Sequence, residues 1–200
     1  MAGIMLPYAL LPDFLPAGQA AGLREHALSH EADFAAMTVG GGRVVRSHRS
    51  SSGTGRLGPY RQLLRDAVCA LPLGELSGVA MPPHDELDIV TELVASNDGD
   101  FYARHTDTHL EPDKAGQWRR LLTAVYYFNT EPRPYSGGEL RLHAVGGDPA
   151  RDFVDIVPRH YSLSLFVAWV PHEILPVSCP SRAFADSRFS VNLLISARMR

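Results

Sequence analysis

The chain is short of cysteine, lysine, net charge and long apolar runs, and each shortage excludes something. Cys69 and Cys179 are the only cysteines among 200 residues, too few for a cysteine-rich zinc module or a disulfide scaffold. Two reduced thiols are expected, with one disulfide as the alternative. Lys114 is the only lysine, against 18 arginines, a skew from which no function follows. A formal net charge of −3 speaks against a dedicated nucleic-acid binder and leaves room for a local basic patch. No uninterrupted apolar stretch reaches the roughly 18 residues of a membrane span. The apolar N-terminus is broken by Pro7, Pro12 and Pro16 and meets its first basic residue only at Arg24, which is not the layout of a secretory signal. The expectation is therefore a cytoplasmic protein with neither membrane nor nucleic acid as partner.

What is present is an ordinary globular composition, 45% hydrophobic, 20% charged and 8% aromatic. It excludes a disordered chain or a coiled coil. The length suits one domain over 1–200, with a core that needs no staple. A helix is expected over 18–30. A clearer one opens at Pro59, where Tyr60, Leu63, Leu64, Ala67, Val68 and Leu71 follow the i, i+3, i+4, i+7 rhythm up to Pro72. Between them, 38–58 is rich in Gly, Ser and Arg and reads as loop or strand pair. From 87 onward the pattern turns to short β-branched and aromatic runs: 87–95, 101–105, 121–128, 139–143, 153–157, 163–170, 172–177 and 189–196. A helical front followed by about eight strands predicts α+β architecture, with helices packed on a β-sandwich or jelly roll.

Three segments carry candidate chemistry. His105 and Asp107, two residues apart at a strand end, share a face if the segment is extended and can then meet one metal. His172 is set between apolar runs. It reads either as a hydrogen-bonded core histidine or as the third member of a 2-His-1-carboxylate triad, which leaves adjacent coordination positions open on Fe(II). Arg188, with Ser190 on the same strand face, suits a carboxylate anion, whether a ligand's or the protein's own. Arg43, Arg46 and Arg49, and likewise Arg119 and Arg120, read as solvated surface charges. An acidic or carboxylate-bearing substrate is the alternative partner for the first three.

In this order, Phe101-Tyr102-Ala103-Arg104-His105-Thr106-Asp107, Val125-Tyr126-Tyr127-Phe128-Asn129, Ser136-Gly137-Gly138-Glu139-Leu140, Pro171-His172-Glu173 and Arg188-Phe189-Ser190-Val191-Asn192 resemble the prolyl-4-hydroxylase-like branch of the Fe(II)/2-oxoglutarate-dependent dioxygenases, over about 87–196. The resemblance implies a double-stranded β-helix (jelly roll, cupin-like) core over 87–196, on a helical support over about 1–86. It implies Fe(II) on His105, Asp107 and His172, with 2-oxoglutarate held by Arg188, Tyr127 and Ser190. O2 is the oxidant, and ascorbate is a candidate accessory reductant. The implied reaction hydroxylates an unactivated C–H bond of a prolyl or other amino-acid residue, free or in a peptide or protein, releasing succinate and CO2. With Asp107 present, hydroxylation is implied over halogenation.

Two positions depart from the pattern. Arg188 lies 16 residues after His172, farther than in close relatives, so Arg182, ten residues after it, competes as the anchor. Asn97 falls where some relatives place an active-site tyrosine. His109 lies on the His105/Asp107 face if the strand continues, and His143 and His160 are spare. The loops 108–118 and 144–152 are expected to flank the site mouth. The alternatives are a tailoring oxygenase of a small secondary metabolite, a non-catalytic jelly-roll binding module, and a zinc hydrolase using His105, His109 and His172.

Overall fold

Alternation along three long strands organises the molecule. A computed structural model describes residues 3–39, 42–108 and 118–198. In it β4 (Leu87–Ser96), β6 (Trp118–Tyr127) and β13 (Arg188–Arg198) lie side by side, β13 in the middle. Leu193 of β13 faces Thr91 of β4 on one side and Ala124 of β6 on the other. Successive side chains of a strand point to opposite faces. One face is therefore apolar and buried, with Ile89 and Leu93 from β4, Leu122 and Ala124 from β6, and Phe189, Val191, Leu193 and Ile195 from β13. The other face carries Glu92, Val94 and Ser96, Thr123 and Val125, and Arg188, Ser190 and Asn192, which line a cavity.

The helices cover the apolar face. In α1 (Ala17–Ser29) the buried residues are Ala20, Leu23 and Ala27, and in α2 (Tyr60–Cys69) they are Leu64 and Val68. These i, i+3, i+7 and i, i+4 spacings make one stripe per helix, and all five residues join the cluster formed by the sheet. A shorter helix, α3 (Leu73–Ser77), was not anticipated. It follows Pro72 and stops at Gly78, whose φ of 68° is the left-handed cap that glycine supplies. Leu193 is fully buried at the centre of this layer. Leu193→Ala should lower stability by about 2–5 kcal/mol, read as a shifted midpoint with unchanged slope in denaturant titration.

The remaining strands complete two antiparallel sheets. In chain order they are β1 (Tyr8–Leu11), β2 (Ala35–Ala36), β3 (Ser52–Thr54), β5 (Tyr102–His105), β7 (Ser136–Gly137), β8 (Leu140–His143), β9 (Phe153–Ile156), β10 (Leu163–Val167), β11 (His172–Ile174) and β12 (Val177–Ser178). The larger sheet runs β1-β10-β6-β13-β4-β3-β2 and the smaller β5-β11-β8-β9, while β7 and β12 form a separate ladder. Both sheets contribute walls to the cavity, which gives the expected jelly-roll core with helices on one sheet.

Two readings change and one resolves. The run 172–177 is not one strand: it divides before Pro176 into β11 and β12, which pair with different partners, because proline has no N–H to give a ladder. The 38–58 segment supplies β3, paired with β4. The edge strand β1, bonded to β10, arises in the proline-flanked N-terminus. Cys69 and Cys179 are both free. Among the described residues no helix is long and apolar enough to cross a membrane.

Candidate metal centre and adjoining cavity

The ends of β5 and β11 meet at the cavity. His172 pairs with His105 across the two strands, and their rings lie 4.2 Å apart. Asp107 is brought up by a bend beyond β5, not by continued extension, and its N–H donates to Ala168 O at 2.9 Å. Its carboxylate then sits 3.6 Å from Nε2 of both His105 and His172. One ligand atom from each of the three side chains falls within 4.8 Å of the others.

The hydrogen bonds around this trio set its chemistry. Nδ1 of His105 is 2.9 Å from Ala103 O, and Nδ1 of His172 is 2.9 Å from Val170 O. A carbonyl can only accept, so each Nδ1 carries a proton, and Nε2 is the ring atom turned toward Asp107 and placed to ligate a metal. Burial pushes the His172 ring down to about 4, against the pull of Asp107. Burial alone would raise the Asp107 carboxyl. The His105 and His172 rings and the Thr123 hydroxyl outweigh it and hold the group well below the usual carboxylate range. Two imidazole Nε2 atoms and a carboxylate thus converge on one point, a donor set that fits a divalent cation and suits Fe(II).

Thr123 is a residue that motif reading missed. Its Oγ1 donates to Asp107 Oδ2 at 2.6 Å, which fixes the carboxylate's rotation. Its only signal in the sequence was its place on the inner face of β6. Thr123→Val keeps the shape and removes the donor. It should weaken Fe(II) binding about 10- to 100-fold, measured by metal titration under nitrogen.

The centre opens into a cavity of about 280 Å³ that Arg188 and Ser190 also line. Arg188 is 2% exposed. Its Nε donates to Gly138 O at 2.7 Å, and its Nη2 finds no partner among the described residues. Tyr127 lies beside it, with the guanidinium carbon 5.1 Å from the ring centre, and the buried Tyr127 hydroxyl makes no well-aligned hydrogen bond among the described residues. Burial raises the Tyr127 phenol, opposed by the Arg188 charge. Arg182, the competing arginine, points elsewhere: it is 79% exposed and pairs with Asp98 at 2.9 Å.

Several surface readings need correction. Arg49 is buried and lines the cavity, whereas Arg43 and Arg46 are exposed. Arg120 also lines it and donates from Nη1 to Asp107 O at 2.8 Å, whereas Arg119 is exposed. The aromatic wall comes from Tyr102, stacked on His105 at 3.6 Å. Asn97 turns away to bond Ala183 O and Ser187 Oγ. The 144–152 turn supplies no wall of the cavity, and Val145 is bonded to Ile4. His143 bonds Glu173 instead of joining the centre, and His160 packs its ring, tilted, against Tyr161. His109 and most of the 108–118 loop lie outside the described residues.

Comparison with known proteins points the same way. The family model of the 2OG-Fe(II) oxygenase superfamily matches residues 91–196. An uncharacterised PKHD-type hydroxylase of Synechocystis sp. is 38% identical over 134 residues, covering 64% of this chain and 41% of that protein. The chain thus spans less than half the length of this relative. A prolyl-4-hydroxylase of Pseudomonas putida superposes with a TM-score of 0.68 at 22% identity, over 98% of this chain and 94% of its own. A prolyl hydroxylase of Trichoplax adhaerens, in complex with a hypoxia inducible factor oxygen degradation domain peptide fragment, gives 0.68 at 20% identity over 96% and 84%. The non-heme alpha ketoglutarate dependent epimerase SnoN from nogalamycin biosynthesis gives 0.61 at 16% identity over 96% and 78%. At these identities the three structures speak for the fold.

Proposed function

The chain belongs to the 2OG-Fe(II) oxygenase superfamily, and from that premise we propose that it hydroxylates an unactivated C–H bond of a prolyl or other amino-acid substrate. The observation that carries the reading is the convergence of two Nε2 atoms on one carboxylate, each 3.6 Å from it, beside a buried arginine whose Nη2 has no partner among the described residues. Bound Fe(II), with 2-oxoglutarate and O2, supplies the oxidising power, and the balance is C–H plus 2-oxoglutarate plus O2 giving C–OH, succinate and CO2.

The chain's own residues divide the remaining work. His105, Asp107 and His172, in the wall of the cavity, would hold the metal. The backbone carbonyls of Ala103 and Val170 keep both imidazoles in the ligating tautomer. Arg188 and Tyr127 hold the distal carboxylate of 2-oxoglutarate, with Ser190 beside them on the inner face of β13. A guanidinium and phenol already out of water bind that carboxylate without first shedding a hydration shell. One domain over 1–200, in a cytoplasmic setting that suits two free thiols, completes the reading.

The test is anaerobic visible absorption of the purified protein with Fe(II), before and after 2-oxoglutarate. A weak charge-transfer band that requires both components is expected. No band with both in excess would favour the non-catalytic binding module. Tailoring of a small metabolite on the same centre is the second reading. A cavity of about 280 Å³, at the lower edge of ligand pockets, favours a small substrate.

A further inference from the structure

The hydroxylase reading leaves the charges of Arg49 and Glu92 in the cavity unused. Arg49 is 7% exposed. Its Nε donates to Ser51 Oγ at 3.2 Å and its Nη1 reaches Thr38 O at 3.5 Å. Its guanidinium carbon stands 4.6 Å from the centre of the Tyr102 ring, and that ring stacks on His105. Arg49 is thus two ring contacts from the metal centre. The carboxylate paired with it is Glu92, at 4.0 Å, beyond hydrogen-bonding range. Glu92 projects from the inner face of β4 across from Asn192, and its carboxylate accepts no hydrogen bond from the described residues.

A buried guanidinium ordinarily closes a two-pronged contact with a carboxylate. Here the two charges stand close enough to attract and too far apart to bond, and both face the cavity. A lone anion would gain Arg49 but be repelled by Glu92, and a lone cation would meet the reverse. A ligand with a carboxylate and an ammonium on neighbouring atoms satisfies both groups at once. An internal peptide residue offers neither charge.

We propose that Arg49 and Glu92 bind the α-carboxylate and α-ammonium of a free amino acid, presenting its side chain to the centre formed by His105, Asp107 and His172. The proposal rests on the hydroxylase reading and narrows its substrate class. Arg120, the other cavity arginine, is tied to Asp107 instead, with Nη1 on its carbonyl oxygen at 2.8 Å and 3.9 Å from its carboxylate.

The test titrates protein loaded with Fe(II) and 2-oxoglutarate under nitrogen, by calorimetry. The probes are the standard L-amino acids, the N-acetyl and carboxamide forms of those that bind, and a prolyl peptide blocked at both ends. At least one free amino acid should bind, and blocking either end should weaken it tenfold or more. Arg49→Gln should weaken the free and N-acetyl forms tenfold or more and leave the carboxamide unchanged. Glu92→Gln should weaken the free and carboxamide forms and leave the N-acetyl form unchanged. Arg49→Lys should recover part of the loss. Variants are scored when they retain the charge-transfer band, and the ranking of free against blocked ligands on the parent protein decides by itself should a variant misfold. Tight binding of the blocked peptide, equal binding of free and blocked forms, or a band with no amino acid bound would each overturn the proposal. Absence of the band in the parent protein would instead remove the hydroxylase reading.

Discussion

Asp107→Ala is expected to lower kcat/KM by about a thousandfold or more, because a bound metal contributes several kcal/mol to the reaction it assists. The carboxylate supplies the charge of the proposed triad, and the two neutral imidazoles that remain are a poor site for a hard divalent ion. Metal analysis of the purified variant and succinate formation with 2-oxoglutarate are the paired measurements, and both should fall together. Far-UV circular dichroism should match the parent protein, because Asp107 sits in the cavity wall and not in the apolar cluster beneath the helices. A variant that lost activity while retaining a full complement of Fe(II) would remove Asp107 from the ligand set.

The second large effect separates the two arginines. Arg188→Ala should raise the 2-oxoglutarate concentration needed for the absorption band by about a hundredfold, since truncating one partner of a buried charge pair costs about 2–5 kcal/mol. Arg182→Ala should change it less than about twofold, as befits an exposed pair with Asp98. The reverse ranking would move the anchor to Arg182. The same geometry makes Gly138, whose carbonyl accepts from Arg188 Nε, a position where size matters. Its φ is +70°, and a Cβ there would stand 2.6 Å from Arg188 Cδ. Gly138→Ala should therefore strain the turn and displace the arginine, so that 2-oxoglutarate affinity and thermal stability drop in one variant.

Much of this architecture was legible because it repeats locally. The α2 helix is announced by its apolar rhythm, and β4, β6 and β13 by β-branched and aromatic runs long enough to outweigh local noise. The metal trio was legible because an ordered set of short motifs surrounds it. The elements that escaped are held by partners distant in sequence. β1 is four residues tied to β10, and β7 and β12 are two-residue strands that exist only through each other. The role of Arg49 is of the same kind. In a run of Gly, Ser and Arg it looks no different from Arg43 and Arg46, and only the packing of its segment against Tyr102 takes it out of solvent. Thr123 was likewise invisible, because its partner Asp107 is 16 residues away.

β13 places Phe189, Val191, Leu193 and Ile195 under the helices and Arg188, Ser190, Asn192 and Leu194 around the cavity. Inserting or deleting one residue in it would exchange the two sets, sending a guanidinium into the apolar layer and a phenylalanine into the anion site. Such a lesion cannot be repaired one substitution at a time, because folding and ligand binding fail together. Descendants of this gene are therefore free to change the length of their loops but must keep the spacing of this strand, and a one-residue insertion or deletion within it should score as a complete loss in any length-scanning library.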